Sequence, residues 1–202
     1  MRYKEFKLFE NVSQGFNNTV YHGSGSRFDR FEQSKARIAN DFYGGGVAYF
    51  TDNLKVAITY AKSMAKKTQQ DPIIYTVNLN LQKLFDVDHV FTGKELVSIL
   101  PDDVEGFARG AGMLGLDSDK YQVLSSLQAG SIKLSGDTVF KGLSKGMNTT
   151  SQAREHLIQL GFDGLRYNGG VNMGMATKHN VYLAYNVNSI TIEKRSRVAK
   201  KQ

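Results

Sequence analysis

The chain has 202 residues, 22.5 kDa, with 41% hydrophobic and 22% charged residues, values ordinary for a soluble globular protein with room for a true core. It contains no cysteine, which excludes disulfides and thiolate metal sites, and no apolar run near the roughly 20 residues of a membrane span. The start, Met1-Arg2-Tyr3-Lys4-Glu5-Phe6, lacks a signal-peptide core, so one cytoplasmic domain over 1–202, a monomer without a membrane partner, is expected; the +7 charge includes a basic tail at 194–202.

Residues 6–18 mix phenylalanines with polar residues and end on Asn17-Asn18-Thr19, a loop signal, so a short helix or strand over the core is expected. Val20-Tyr21-His22-Gly23-Ser24 is a short apolar strand that delivers a histidine onto a Gly/Ser turn. Phe28 and Phe31, three apart, anchor the connection that follows. Asp41-Phe42-Tyr43-Gly44-Gly45-Gly46 is a glycine hinge, since three glycines cost backbone entropy that only unusual φ angles or close ligand approach justify. Strand Val47-Ala48-Tyr49-Phe50-Thr51 leads into a helix over 52–67, capped by Asp52 or Asn53, whose inward face carries Val56, Ala57, Tyr60, Ala61 and Met64. After Asp71-Pro72, residues 73–81 read as a strand, and Asp86 and Asp88 as turn residues without metal-ligand company.

Residues 91–160 suggest short helices at 94–100, 104–109 and 121–127 and a better one at 151–160 that stops at Gly161. His89, His156 and His179 have no partners at catalytic or metal spacing, so no metal is expected. Gly161-Phe162-Asp163-Gly164 is a turn before a strand, Gly169 to Met175 a glycine-rich loop, and Asn180-Val181-Tyr182-Leu183-Ala184-Tyr185 a closing strand reaching Ile190.

Taken together, His22-Gly23-Ser24, the Tyr49-Phe50 strand and Tyr60 eleven residues beyond Tyr49 resemble the NAD-binding core of the ADP-ribosyltransferases. The branch is the one with a His-Tyr-Glu triad, which includes diphtheria-type toxins and the poly(ADP-ribose) polymerases, and the resemblance is closest to small bacterial and phage domains of polyvalent proteins. It covers 20–81 and 157–192. It implies an α+β fold with a split, mainly antiparallel sheet and a helical insertion at about 91–160. It also implies NAD as co-substrate: His22 binding a ribose hydroxyl and the nicotinamide amide, the Gly23 backbone holding the amide, Ser24 supporting the turn, Tyr49 and Tyr60 stacking on the ring.

The family's closing strand carries the triad glutamate just before Tyr182, and the residue there is Val181. A carboxylate at that point stabilises the oxocarbenium-like state and activates a ribose hydroxyl for chain growth. With valine, single transfer to a protein or nucleic-acid acceptor is the expected activity, and Asn180 restores a polar contact only if the register slips by one. Ala57 replaces a serine that binds nicotinamide in the polymerases. Two other classes remain open: an inactive NAD- or ADP-ribose-binding module, and, resting on the charge alone, a nucleic-acid-binding protein.

Overall fold

The computed structural model describes residues 15–33, 43–112, 125–130, 132–172 and 177–199. In chain order the elements that matter are β1 (Phe16–Ser24), β2 (Ala48–Thr51), α1 (Leu54–Thr68), β3 (Ile73–Leu81), β4 (Leu84–Asp86), β5 (Val90–Thr92), α2 (Gly93–Ile99) and α3 (Val104–Gly110). They continue with β6 (Lys133–Ser135), α4 (Gly136–Gly146), α5 (Thr150–Gln159), β7 (Gly164–Asn168), a short α6 (Gly169–Asn172), β8 (Asn180–Ala184) and β9 (Ile190–Arg197). The fold is α+β, built on a seven-stranded sheet of order β4-β7-β8-β2-β1-β3-β9 in which only β4 and β7 pair in parallel.

Two half-sheets meet in the middle. On one side β3 binds β1 along its whole length, from Phe16 opposite Leu81 to Ser24 opposite Ile73, and takes β9 on its other edge with a bulge at Thr76/Val77. On the other side β2, β8 and β7 pair in continuous antiparallel register, Thr51 opposite Val181 and Tyr167 opposite Val181. The halves are joined by one residue pair, Tyr21 opposite Thr51. Past it the strands diverge, which opens a cleft at the end of β1.

Alternation along the strands builds a core on each face, with a third, smaller cluster under α1 at Ala57, Ala61 and Ile74. Val20, Phe50, Tyr75, Val77, Leu79, Leu81 and Tyr182 pack together. Phe85, Leu165 and Leu183, their neighbours on the opposite face, pack with Phe91, Leu96, Phe107, Phe140, Leu157 and Phe162 of the helical region.

Several sequence expectations need correction. β1 begins at Phe16, two residues before the expected entry at Asn18, so the loop signal at Asn17-Asn18-Thr19 lies within the strand, and Phe16 stacks on Tyr182 with ring centroids 4.2 Å apart; residues 1–14 lie outside the described residues. The closing strand ends at Ala184, and Lys194, Arg195 and Arg197, read as a tail, lie in β9. The region 91–160 also holds the small β5-β6 sheet and helix α4. Gly136, Gly142 and Gly146 hid α4, because glycine is a poor helix former. They are there for packing: a Cβ on Gly142 would sit 2.8 Å from the Phe107 ring, and one on Gly146 2.9 Å from Phe107 N, so α3 and α4 approach backbone to backbone. Of the expected helix at 121–127, residues 121–124 lie outside the described set, as do Asp41, Phe42 and residues 173–176.

Candidate functional site

Helix α1 positions the site. Asn53 is its N-cap, its side chain accepting from Lys55 N at 3.0 Å and Val56 N at 3.3 Å, and the helix ends on Gln69 in the left-handed conformation. Ala57, Ala61 and Ala65 form the buried face, small enough for the helix to lie directly on β1. A methyl on Gly23 would overlap the Ala57 carbonyl oxygen and come within 2.9 Å of Ala61 N; one on Gly25 would sit 2.5 Å from the Met64 carbonyl carbon. These two glycines therefore serve contact between backbones, a reason the sequence did not separate from ligand approach. Thr68 Oγ1 ties the far end of α1 to the Gly25 carbonyl at 2.6 Å.

Where β1 and β2 part, the Tyr49 carbonyl loses its ladder partner, and His22 Nδ1 replaces it at 2.8 Å. A carbonyl only accepts, so Nδ1 carries the proton and Nε2 is the acceptor of the neutral ring. The imidazole stands among four aromatic rings, with centroids 5.2 Å away at Phe31, 5.8 Å at Phe50 and 6.0 Å at Phe28 and Tyr75. Phe28 stacks on Tyr75 at 4.1 Å, and the Tyr75 hydroxyl accepts from Phe28 N at 2.7 Å and donates to the Phe28 carbonyl at 3.1 Å. Burial pushes that hydroxyl above the ordinary tyrosine value, so it remains a donor. Ser24 Oγ closes the turn, donating to the Ser26 carbonyl at 2.8 Å and accepting from Ser26 N at 3.1 Å.

The cleft next to this histidine has a volume of about 340 Å³ and is lined by His22, Gly23, Ser24, Tyr49 and Tyr60 together. Tyr60 corrects the sequence reading: it is not on the inward face of α1 but 46% exposed at the cleft mouth, because the buried stripe belongs to the three alanines. Tyr49 is half-buried against the helical core. Gly46 and Val47 form part of the wall. Gly44 and Gly45 have φ of +76° and +70°, and Gly44 packs on α5, its carbonyl accepting from the Arg154 guanidinium at 2.9 Å.

Val181 and Asn180 are not among the lining residues. Val181 lies opposite Thr51, and its Cγ2 lies against Gly169. Asn180 is committed to Asp52, which accepts its backbone N at 3.0 Å and its amide at 2.7 Å. Three charged cleft residues escaped sequence reasoning: Arg27, Arg30 and Glu32. Glu32 is the only carboxylate among the described lining residues. These three sit in an irregular connection, where no periodicity marks direction.

The remaining histidines have structural neighbours: His89 faces Glu95 at 3.3 Å, His156 bonds the Ile99 carbonyl at 2.8 Å, and buried His179 bonds the Thr177 carbonyl at 2.9 Å. Asp86 accepts from Asp88 N at 3.0 Å and pairs with Arg166. Among the described residues no group of three or more His, Cys, Asp or Glu is placed to hold a metal, and no helix is long and apolar enough to cross a membrane.

No protein-family model matches the chain, and no curated protein does. Among solved structures, the crystal structure of the M. tuberculosis MbcT–MbcA toxin–antitoxin complex is similar over 91% of this chain and 85% of that chain, at 10% identity and a TM-score of 0.43. At that distance the likeness says nothing about activity.

Proposed function

We propose that the cleft beside His22 binds NAD and that the protein transfers a single ADP-ribose unit from it to a macromolecular acceptor. The observation that carries this reading is that His22, Tyr49 and Tyr60, far apart in sequence, line one concavity with two arginines and one carboxylate at hand. In this reading Tyr49 and Tyr60 hold the nicotinamide between their rings. His22 Nε2 accepts a ribose hydroxyl while Nδ1 stays on the Tyr49 carbonyl. Arg27 and Arg30 face the diphosphate, for which guanidinium groups are suited.

The acceptor's nucleophilic atom bonds to C1′ of the nicotinamide ribose as the glycosidic bond breaks. Nicotinamide leaves with the bonding pair, which neutralises its ring nitrogen, and the acceptor's proton passes to water. The positive charge that develops on the ribose needs an anion nearby. Val181 supplies none, and Glu32 is the residue of the cleft able to do so. Because no carboxylate stands at the position of Val181 to activate a ribose hydroxyl, products carry single units, and polymer in a mass spectrum of the products would contradict this.

A second reading has its own support. Val181 is apolar and Asn180 is held by Asp52, so a module that binds NAD without turning it over fits the closing strand equally well. Calorimetry with NAD, paired with an assay of nicotinamide release in the presence of cell lysate, separates the two. Binding with release supports transfer and binding without release supports the module. No binding, or binding unchanged in Tyr49→Ala, removes both.

A further inference from the structure

Helix α1 contains four lysines and no acidic residue. At 100° per residue, Lys55, Lys62 and Lys66 project within about 40° of one another, on the flank roughly 180° from Tyr60, Met64 and Thr68. All three are exposed, and none has an ion pair or side-chain hydrogen bond among the described residues. The cations of β9 differ. Arg195 is held by Asp29 at 2.6 Å and Arg197 by Asp71 at 3.5 Å, so the charge that looked most available in the sequence is largely committed. Lys194, in contrast, has no such partner among the described residues, and the register Tyr21–Thr76–Lys194 places it on the face of the sheet that α1 covers. Val198, just beyond β9, belongs with Ile58 to the small cluster on Ala57, Ala61 and Ile74, which ties the end of β9 to α1.

We propose that this face, Lys55, Lys62, Lys66 and Lys194, is a docking surface for the phosphate backbone of a nucleic acid, independent of what the cleft binds. Four unneutralised ammonium groups on a rigid helix and strand complement a polyphosphate, and the three helical ones span about 16 Å of helix axis. A membrane surface fits less well, since a helix that lies in a bilayer interface buries its apolar face there, and that of α1 is already covered by β1. The surface lies on the far flank of α1 from the cleft, so it would hold the polymer while leaving the cleft open.

The test is fluorescence anisotropy of a labelled DNA duplex of about 20 base pairs across a range of salt concentrations, using the full chain. Wild type is expected to bind at low salt with a log–log salt slope near −3 to −4, one unit for each phosphate contact. Lys55→Glu with Lys62→Glu and Lys66→Glu should weaken binding at least tenfold and flatten the slope by about 3. A control with the same charge change elsewhere, Lys94→Glu with Lys133→Glu and Lys178→Glu, should lie within about threefold of wild type. Equal losses in both triple variants would show that net charge alone attracts DNA and would overturn the assignment. So would the absence of binding by wild type, or tighter binding to vesicles of anionic phospholipid than to the duplex. Circular dichroism of each variant confirms that the exposed substitutions leave the fold intact.

Discussion

Gly23→Ala separates two roles that a glycine beside a binding site can have. The residue lies in β1 and its φ is not in the left-handed region, so alanine has no conformational objection to the site. The objection is steric: the added methyl overlaps the Ala57 carbonyl oxygen and approaches Ala61 N to 2.9 Å, and both are backbone atoms of a helix that cannot rotate away. Relief requires α1 to lift from β1, loosening the contacts of Ala57, Ala61 and Ala65. Overpacking of this sort costs typically 1–3 kcal/mol, and with rigid atoms on both sides the upper end applies, about 3 kcal/mol. For a chain of this length that lowers the thermal midpoint by roughly 6–12 °C. Urea unfolding followed by circular dichroism reads the free energy directly. Because Tyr60 and Met64 ride on the same helix, NAD affinity should fall with stability. A variant as stable as wild type that had lost NAD would refute the packing argument and return Gly23 to a ligand-contact role; one as stable and fully binding would refute both.

Three further outcomes are expected. His22→Ala should lower nicotinamide release by roughly 30- to 1000-fold, the effect of removing one preorganised polar group, while His89→Ala, His156→Ala and His179→Ala stay within a few-fold; full activity in a folded His22→Ala removes the catalytic assignment. Glu32→Gln should keep NAD binding in calorimetry and lose turnover, and equal losses in both would make Glu32 a binding group only. Tyr185 is 5% exposed and its hydroxyl has no hydrogen-bond partner among the described residues, so Tyr185→Phe should raise stability by about 1 kcal/mol in urea unfolding, and a loss instead would mean the hydroxyl is bonded. Burial also drives the Tyr185 hydroxyl well above its ordinary value. The unfolded chain then ionises first, so stability is full below about pH 10, falls as pH rises past it, and falls less steeply in Tyr185→Phe.

What could be read in the sequence depended on how local the cause was. The α1 cap at Asn53, the run of β3 and the stop of α5 at Gly161, whose φ is +85°, are set by neighbours in the chain and are legible. The side of α1 that faces inward was not. Periodicity gave several apolar positions, and only the approach of β1 through Gly23 and Gly25 decides that alanines are buried and Tyr60 is left outside. The parallel pairing of β4 with β7 joins segments about eighty residues apart and has no local mark, any more than the contribution of Arg27, Arg30 and Glu32 to the cleft. His22 was found from its Gly-Ser context, but its bond to the Tyr49 carbonyl exists only because two strands part there.

That bond bears on what sequence change can reveal about this protein. A histidine that clasps the two half-sheets together is needed for the joint whether or not any reaction takes place beside it. Were turnover lost in a descendant, selection for a stable joint would still hold His22 in place, and its persistence would be no testimony to activity. Tyr60 has no such second employment. It is nearly half exposed and carries little of the core, so in a lineage that no longer used the cleft it would be among the first side chains free to drift.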